Sequence, residues 1–208
     1  SKETAHLFYE LGVKRVVFSR EMTLEEINSI DVPIEKEVFI HGALCISYSG
    51  CCLMSSMLGT RSGNRGECAG SCRLPYTLKH AAETITSKKF LLSTKELNSA
   101  PHIQELLASD IASFKIEGRM KSPEYVGFIT KYYRNLIDGT MPDIKVATDK
   151  LKTIFNRNFT AGNLFATPAQ EIMNTKTPNH IGLEIGKVLE ITKDKIKIKL
   201  TTPLNQHD

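Results

Sequence analysis

The chain has 208 residues, 41% of them hydrophobic and 24% charged, with 13 glycines, 8 prolines and a formal net charge of +4. A chain of that length buries about 70% of its unfolded surface without help from disulfides, and the composition excludes collagenous, low-complexity and disordered classes. No apolar run approaches the roughly 18 residues of a membrane span, and so mild a positive charge permits a polyanionic partner without demanding one.

The first segment, "SKETAHLFYELG", has the periodicity of an amphipathic helix, with no initiator methionine and no signal-like apolar core, so the chain is expected to continue from something longer. A β-branched run at 13–19 predicts a strand. Residues 23–30 open with Thr23 three positions before Glu26, the pattern of a capping box, and predict a helix. Further strands are expected at 37–42, 88–93 and 112–118, with helical material between the last two. The run "SPEYVGFITKYYRNLIDG" predicts a helix capped by Ser122, with Pro123 at its first position and Gly139 at its end.

Alternating strands and helices predict an α/β fold with a parallel sheet. Residues 1–140 are expected to form four parallel strands of a partial (β/α) barrel, the second half of one, with a cysteine-rich loop at 43–76; an open doubly wound sheet fits almost as well. Residues 141–181 read as a helical and loop connector. From residue 182 the text "GLEIGKVLEITKDKIKIKL" alternates around Lys193 and Asp194, which predicts the start of a small antiparallel β domain over 182–208.

All five cysteines, Cys45, Cys51, Cys52, Cys68 and Cys72, fall in one glycine- and serine-rich stretch. Spare thiols, disulfides and a metal or iron–sulfur site are the three chemistries such a group serves. Ordinary core cysteines scatter along a chain, and disulfides belong to small secreted domains, so the clustering favours the metal site. Zinc sites usually show paired C-x2-C knuckles, absent here; longer, irregular spacings suit a 4Fe–4S cluster better, with zinc as the alternative and no metal in this fragment as a further one. Cys51 and Cys52 are adjacent and project in different directions, so only one is expected to be a ligand, and spacing does not say which.

The strand at 112–118 would carry Glu117 and Arg119 to its C-terminal end, the edge where parallel α/β folds place their chemistry. Both are candidate catalytic groups, with an internal salt bridge as the plain alternative. His41, four residues before Cys45, is a third candidate, either in a Cys–His dyad or as a structural group at a strand end. Arg61, Arg65 and Arg73 in the cysteine loop suit recognition of phosphate or carboxylate, or are solvated loop charge. Lys195, Lys197 and Lys199 alternate with apolar residues, giving a basic strand face that is either solvated or set against an RNA backbone. No HExxH or GxSxG motif is present.

The segments "EVFIHGALCISYSGCCLMSS", "GNRGECAGSCRLPY", "FKIEGRMKSPEYV", "FNRNFTAGNLF" and "PNHIGLEIGKV" together resemble the collagenase-like peptidases of unknown catalytic type, the U-class peptidase family, across essentially the whole chain. The resemblance implies cluster ligation by Cys45, Cys52, Cys68 and Cys72; Cys51 departs from the family pattern. It also implies a cytoplasmic iron–sulfur enzyme that hydroxylates tRNA or rRNA, in some relatives with prephenate as co-substrate. The competing implication is a protease acting on collagen-like protein, and neither implication involves a membrane.

Overall fold

The computed structural model describes residues 1–204 apart from Met120 and Pro142, so the last four residues of the expected β appendage lie outside the described residues. Helix α1 (Lys2–Glu10) is capped by Ser1, whose hydroxyl accepts from the Thr4 N–H at 3.3 Å. It leads into strand β1 (Arg15–Val17) and helix α2 (Leu24–Asn28). The predicted capping box forms: Glu26 N–H donates to Thr23 Oγ1 at 3.1 Å, and Thr23 N–H donates to the Glu26 carboxylate at 2.8 Å.

Strand β2 (Glu35–Ala43) is the centre of the sheet and buries Lys36, Val38 and Ile40 on one face, as period-two alternation requires. Lys36 is tolerated there because its Nζ donates to the Ile27 carbonyl at 3.0 Å and to Asp110 at 2.6 Å. Two neighbours of β2, β1 and β6 (Ile111–Ile116), run parallel to it, as the alternation of strands and helices predicts.

The remaining strands correct the expectation of four parallel ones. A short helix α3 (Met54–Leu58) follows β2 in the cysteine loop, and residues 88–93 are not a strand of the sheet. Lys88 and Lys89 instead end β4 (Glu83–Lys89), which pairs with β3 (Tyr76–His80) in a separate antiparallel hairpin. The sheet position is taken by β5 (Glu96–Asn98), which runs antiparallel to the end of β2, within a stretch expected to be helical. Tertiary contacts override local propensity there: Glu96 pairs with Arg157, Leu97 packs with Leu44 and Ile172, and the Asn98 side chain accepts from Ala100 N–H at 3.1 Å. Only after a turn through Pro101 does helix α4 (Ile103–Leu107) begin.

Helix α5 (Pro123–Ile137) starts as predicted, with Ser122 Oγ accepting from Tyr125 N–H at 3.3 Å, and lays Tyr125, Ile129, Tyr132, Tyr133 and Leu136 into the core. Helix α6 (Ile144–Ile154) adds Leu151 to the same core, and β7 (Phe159–Thr160) extends the sheet by running parallel to β5. A short helix α7 (Ala169–Ile172) follows. The sheet is therefore mixed and five-stranded within an α/β fold.

The predicted C-terminal hairpin is present as β8 (Gly186–Ile191) and β9 (Ile196–Leu200). Its register puts Val188 opposite Ile198 and Ile191 opposite Ile196 on an exposed apolar side, while Lys187 stands opposite Lys199 and Glu190 opposite Lys197 on the polar side. Among the described residues no helix is long and apolar enough to cross a membrane.

Candidate functional site

Strands β2 and β6 come together at Gly42, which has φ +113°; a Cβ there would lie 2.4 Å from the Glu117 carbonyl oxygen, so only glycine permits the approach. The cysteine loop leaves β2 directly beyond this point. Between residues 45 and 89 the only buried side chains are Ser55 and Ser71, so apolar packing does not hold the loop. Charge-assisted hydrogen bonds do. Arg73 donates to the Leu44 carbonyl at 2.9 Å, Ser93 Oγ at 2.8 Å and Thr94 Oγ1 at 2.9 Å, as well as to the Thr94 carbonyl. Arg61 donates to the carbonyls of Glu67 at 3.1 Å and Cys68 at 3.0 Å. Arg119 reaches the Gly66 carbonyl at 3.0 Å, and Ser55 Oγ accepts from Ala69 N–H at 3.0 Å.

All five cysteines are free, with Cys52 and Cys72 half-buried and the others exposed. Cys45, Cys52, Cys68 and Cys72 line one open cleft together with Arg73, Glu117, Arg119, Lys121 and Arg157. Cys51 borders the adjoining hollow, which the other four thiols also touch. Burial pushes the Cys72 thiol up; the Arg73 charge opposes this, and Cys45, Cys68 and Cys52 reinforce it, which places those three thiols within electrostatic reach of Cys72. Gly70 N–H donates to Cys68 Sγ at 3.3 Å.

Among the described residues no three His, Cys, Asp or Glu side chains are grouped as ligands of a single ion. The groups that a thiolate-held cluster would draw on are nevertheless gathered: four thiols border one cavity, a backbone N–H donates to one sulfur, and an arginine adjoins another.

The candidate residues outside the thiols divide into three groups. Glu117 and Arg119 line the cleft, and Arg119 N–H donates to Glu117 Oε1 at 3.2 Å. Arg73 also faces the cleft, but its guanidinium holds the loop to the strand ends; Arg61 is bound to loop carbonyls, and Arg65 is exposed on the 63–65 turn. His41 lies under the site rather than in it. It is 1% exposed, its Nδ1 is 3.2 Å from Tyr133 Oη, and burial followed by the Lys121 charge lowers its pKa to about 3, so the imidazole is neutral.

Sequence reasoning missed three cations of the cleft, Arg20, Lys121 and Arg157. Lys121 Nζ sits 2.9 Å from the ring centroid of Phe155 and 5.1 Å from that of Tyr125. Its pKa is lowered to about 8, first by burial and then by Arg157 and Arg73, against the opposing pull of Glu96 and Glu117. Arg157 forms a buried ion pair with Glu96 and donates to the Pro178 carbonyl at 3.1 Å. Lys121 follows "KIEGR" so closely that its place at the strand end was readable in principle; Arg157 lies in a turn after a helix and carries no periodic signal.

The chain is 34% identical over 220 residues to a protein of Escherichia coli named a 23S rRNA 5-hydroxycytidine synthase, covering 99% of this chain and 34% of that one. It is 36% identical over 194 residues to a tRNA hydroxylation protein P of Helicobacter pylori, covering 85% of this chain and 45% of the relative. It is 32% identical over 184 residues to a Porphyromonas gingivalis protein named Collagenase, covering 78% and 44%. The chain thus spans between about a third and a half of the length of these relatives. No solved structure matches. Residues 1–174 match Peptidase family U32, and the chain belongs to that family.

Proposed function

We propose that this chain is the cluster-bearing part of a cytoplasmic RNA-hydroxylating enzyme, with Cys45, Cys52, Cys68 and Cys72 as ligands of a 4Fe–4S cluster and tRNA or rRNA as substrate. The observation that carries the reading is the convergence of those four thiols on a cleft whose other walls bear Arg73, Arg119, Lys121 and Arg157. The names of two of the relatives, which refer to rRNA and tRNA hydroxylation, support the substrate class. The parallel β1, β2 and β6, with the cleft beyond their C-terminal ends, suit part of a (β/α) barrel.

When bound, the cluster supplies one-electron redox chemistry or an open iron site. The chain's own residues supply charge and positioning. Lys121 and Arg119 attract phosphate or a small carboxylic acid of the prephenate type, and Glu117 fixes the Arg119 backbone while offering a second carboxylate oxygen to a proton. A peptidase reading has less to draw on. Its candidate base, His41, is buried against Tyr133 beneath the cleft.

Iron content and visible absorbance of anaerobically purified full-length protein test the cluster. Serine at Cys45, Cys52, Cys68 or Cys72 is expected to abolish iron binding, whereas Cys51→Ser retains it; iron loss in Cys51→Ser with retention in Cys52→Ser reverses the ligand assignment. Nucleoside mass spectrometry of a deletion strain tests the substrate. An unchanged nucleoside profile, together with gelatin cleavage by purified protein, would restore the peptidase reading.

A further inference from the structure

We propose that the cavity beside the cysteine cleft is a nucleobase pocket, with Tyr48 as the stacking surface for a base swung out of an RNA strand; this rests on the RNA reading above. The pocket is bordered by Arg20, Glu21, Ile46, Tyr48, Asn163 and Met173. Arg20, Cys45 and Tyr48 border the cysteine cleft as well, so the two spaces share a wall. A base in the pocket would stand next to a proposed cluster ligand while its phosphates faced the cleft cations.

Tyr48 is 73% exposed, yet its backbone is fixed. Cys51 N–H donates to the Tyr48 carbonyl at 3.1 Å, and both the N–H and the hydroxyl of Ser49 donate to Glu21 Oε1, at 2.8 and 3.1 Å. An exposed aromatic ring on an anchored turn loses little freedom when a base stacks on it. The ring belongs to neither buried core cluster.

The remaining walls match the chemistry of a base. Ile46 and Met173 offer apolar contact to a ring face. Glu21 and Asn163 offer oxygen acceptors to ring N–H or amino groups. Arg20, which already donates to the Ala43 carbonyl at 3.3 Å, offers its other N–H groups to a base carbonyl. Reading an unstacked base by stacking and edge hydrogen bonds is how single-stranded RNA is recognised.

The test uses the full-length protein and a fluorescently labelled RNA stem–loop carrying 4-thiouridine in its loop. Irradiation is expected to crosslink the thiobase to the peptide containing Tyr48. Tyr48→Ala is expected to weaken binding roughly tenfold, within the range lost when a stacking aromatic is removed, while Tyr48→Phe keeps wild-type affinity. Wild-type affinity in Tyr48→Ala, or crosslinks confined to the lysines of β8 and β9, overturns the pocket. If the wild type hydroxylates RNA and Tyr48→Ala does so with unchanged KM, the pocket alone falls. If the wild type binds no RNA, the RNA reading falls and takes the pocket with it.

Discussion

Replacing Glu96 by glutamine probes the electrostatics beneath the cleft. Glu96 is 1% exposed and pairs with Arg157, itself 8% exposed, and it also acts on Arg73 and Lys121. Its removal leaves these cations without their shared buried carboxylate. Breaking a buried pair by removing one partner costs about 3–5 kcal/mol, a large share of the roughly 5–15 kcal/mol that holds a domain together. The expected result is a loss of that size in denaturant unfolding, with an unchanged m-value. Because Glu96 holds the Lys121 pKa up, the same variant is expected to move that pKa below about 8, readable by NMR of the isotopically methylated amine. The Glu96→Gln/Arg157→Met double variant removes the guanidinium that the single variant leaves buried without its partner and should recover much of the loss. A cost under about 1 kcal/mol for Glu96→Gln, or a double variant less stable than the single one, would refute the account of the pair as a mutually dependent buried unit.

His41 gives a pH signature. Its folded pKa of about 3 lies below the ordinary value of 6.5, so its contribution is complete above that value and is lost as pH falls through the window between the two. Between pH 6.5 and pH 5 the loss from this residue is on the order of 2 kcal/mol; His41→Asn should flatten the stability profile in that range, and an unchanged slope would refute the assignment. Lys121, at about 8, is largely neutral by about pH 9, where an ordinary lysine at 10.5 remains protonated. Amine-selective labelling near pH 9 followed by mass spectrometry should therefore modify Lys121 faster than a free lysine peptide labelled alongside; equal rates would argue against the lowered pKa.

What could be read from the sequence was local. The Thr23 and Glu26 capping box, the Ser122 and Pro123 helix start and the turn between β8 and β9 each depend on residues within a few positions, and each formed as expected. Strand β5 was misread because "ELN" has no β-branched residue and its stabilising partner, Arg157, is far away in sequence. The gathering of thiols was visible as composition. The anchoring by Arg73 was not, because it depends on which carbonyls the fold leaves open: those of Leu44 and Thr94 await donors only once β2 and β5 have met.

The arginine-held loop should also respond to temperature differently from the core beneath it. Unfolding a core exposes apolar surface, raises the heat capacity and bends the stability curve, so the core weakens in the cold as well as in the heat. Opening the 45–89 segment exposes almost no buried apolar side chain and chiefly returns guanidinium groups and carbonyls to water. Its opening free energy therefore has little curvature, and the cysteine-bearing segment keeps its shape on cooling, where the Val38, Ile40 and Leu106 core loses part of its driving force.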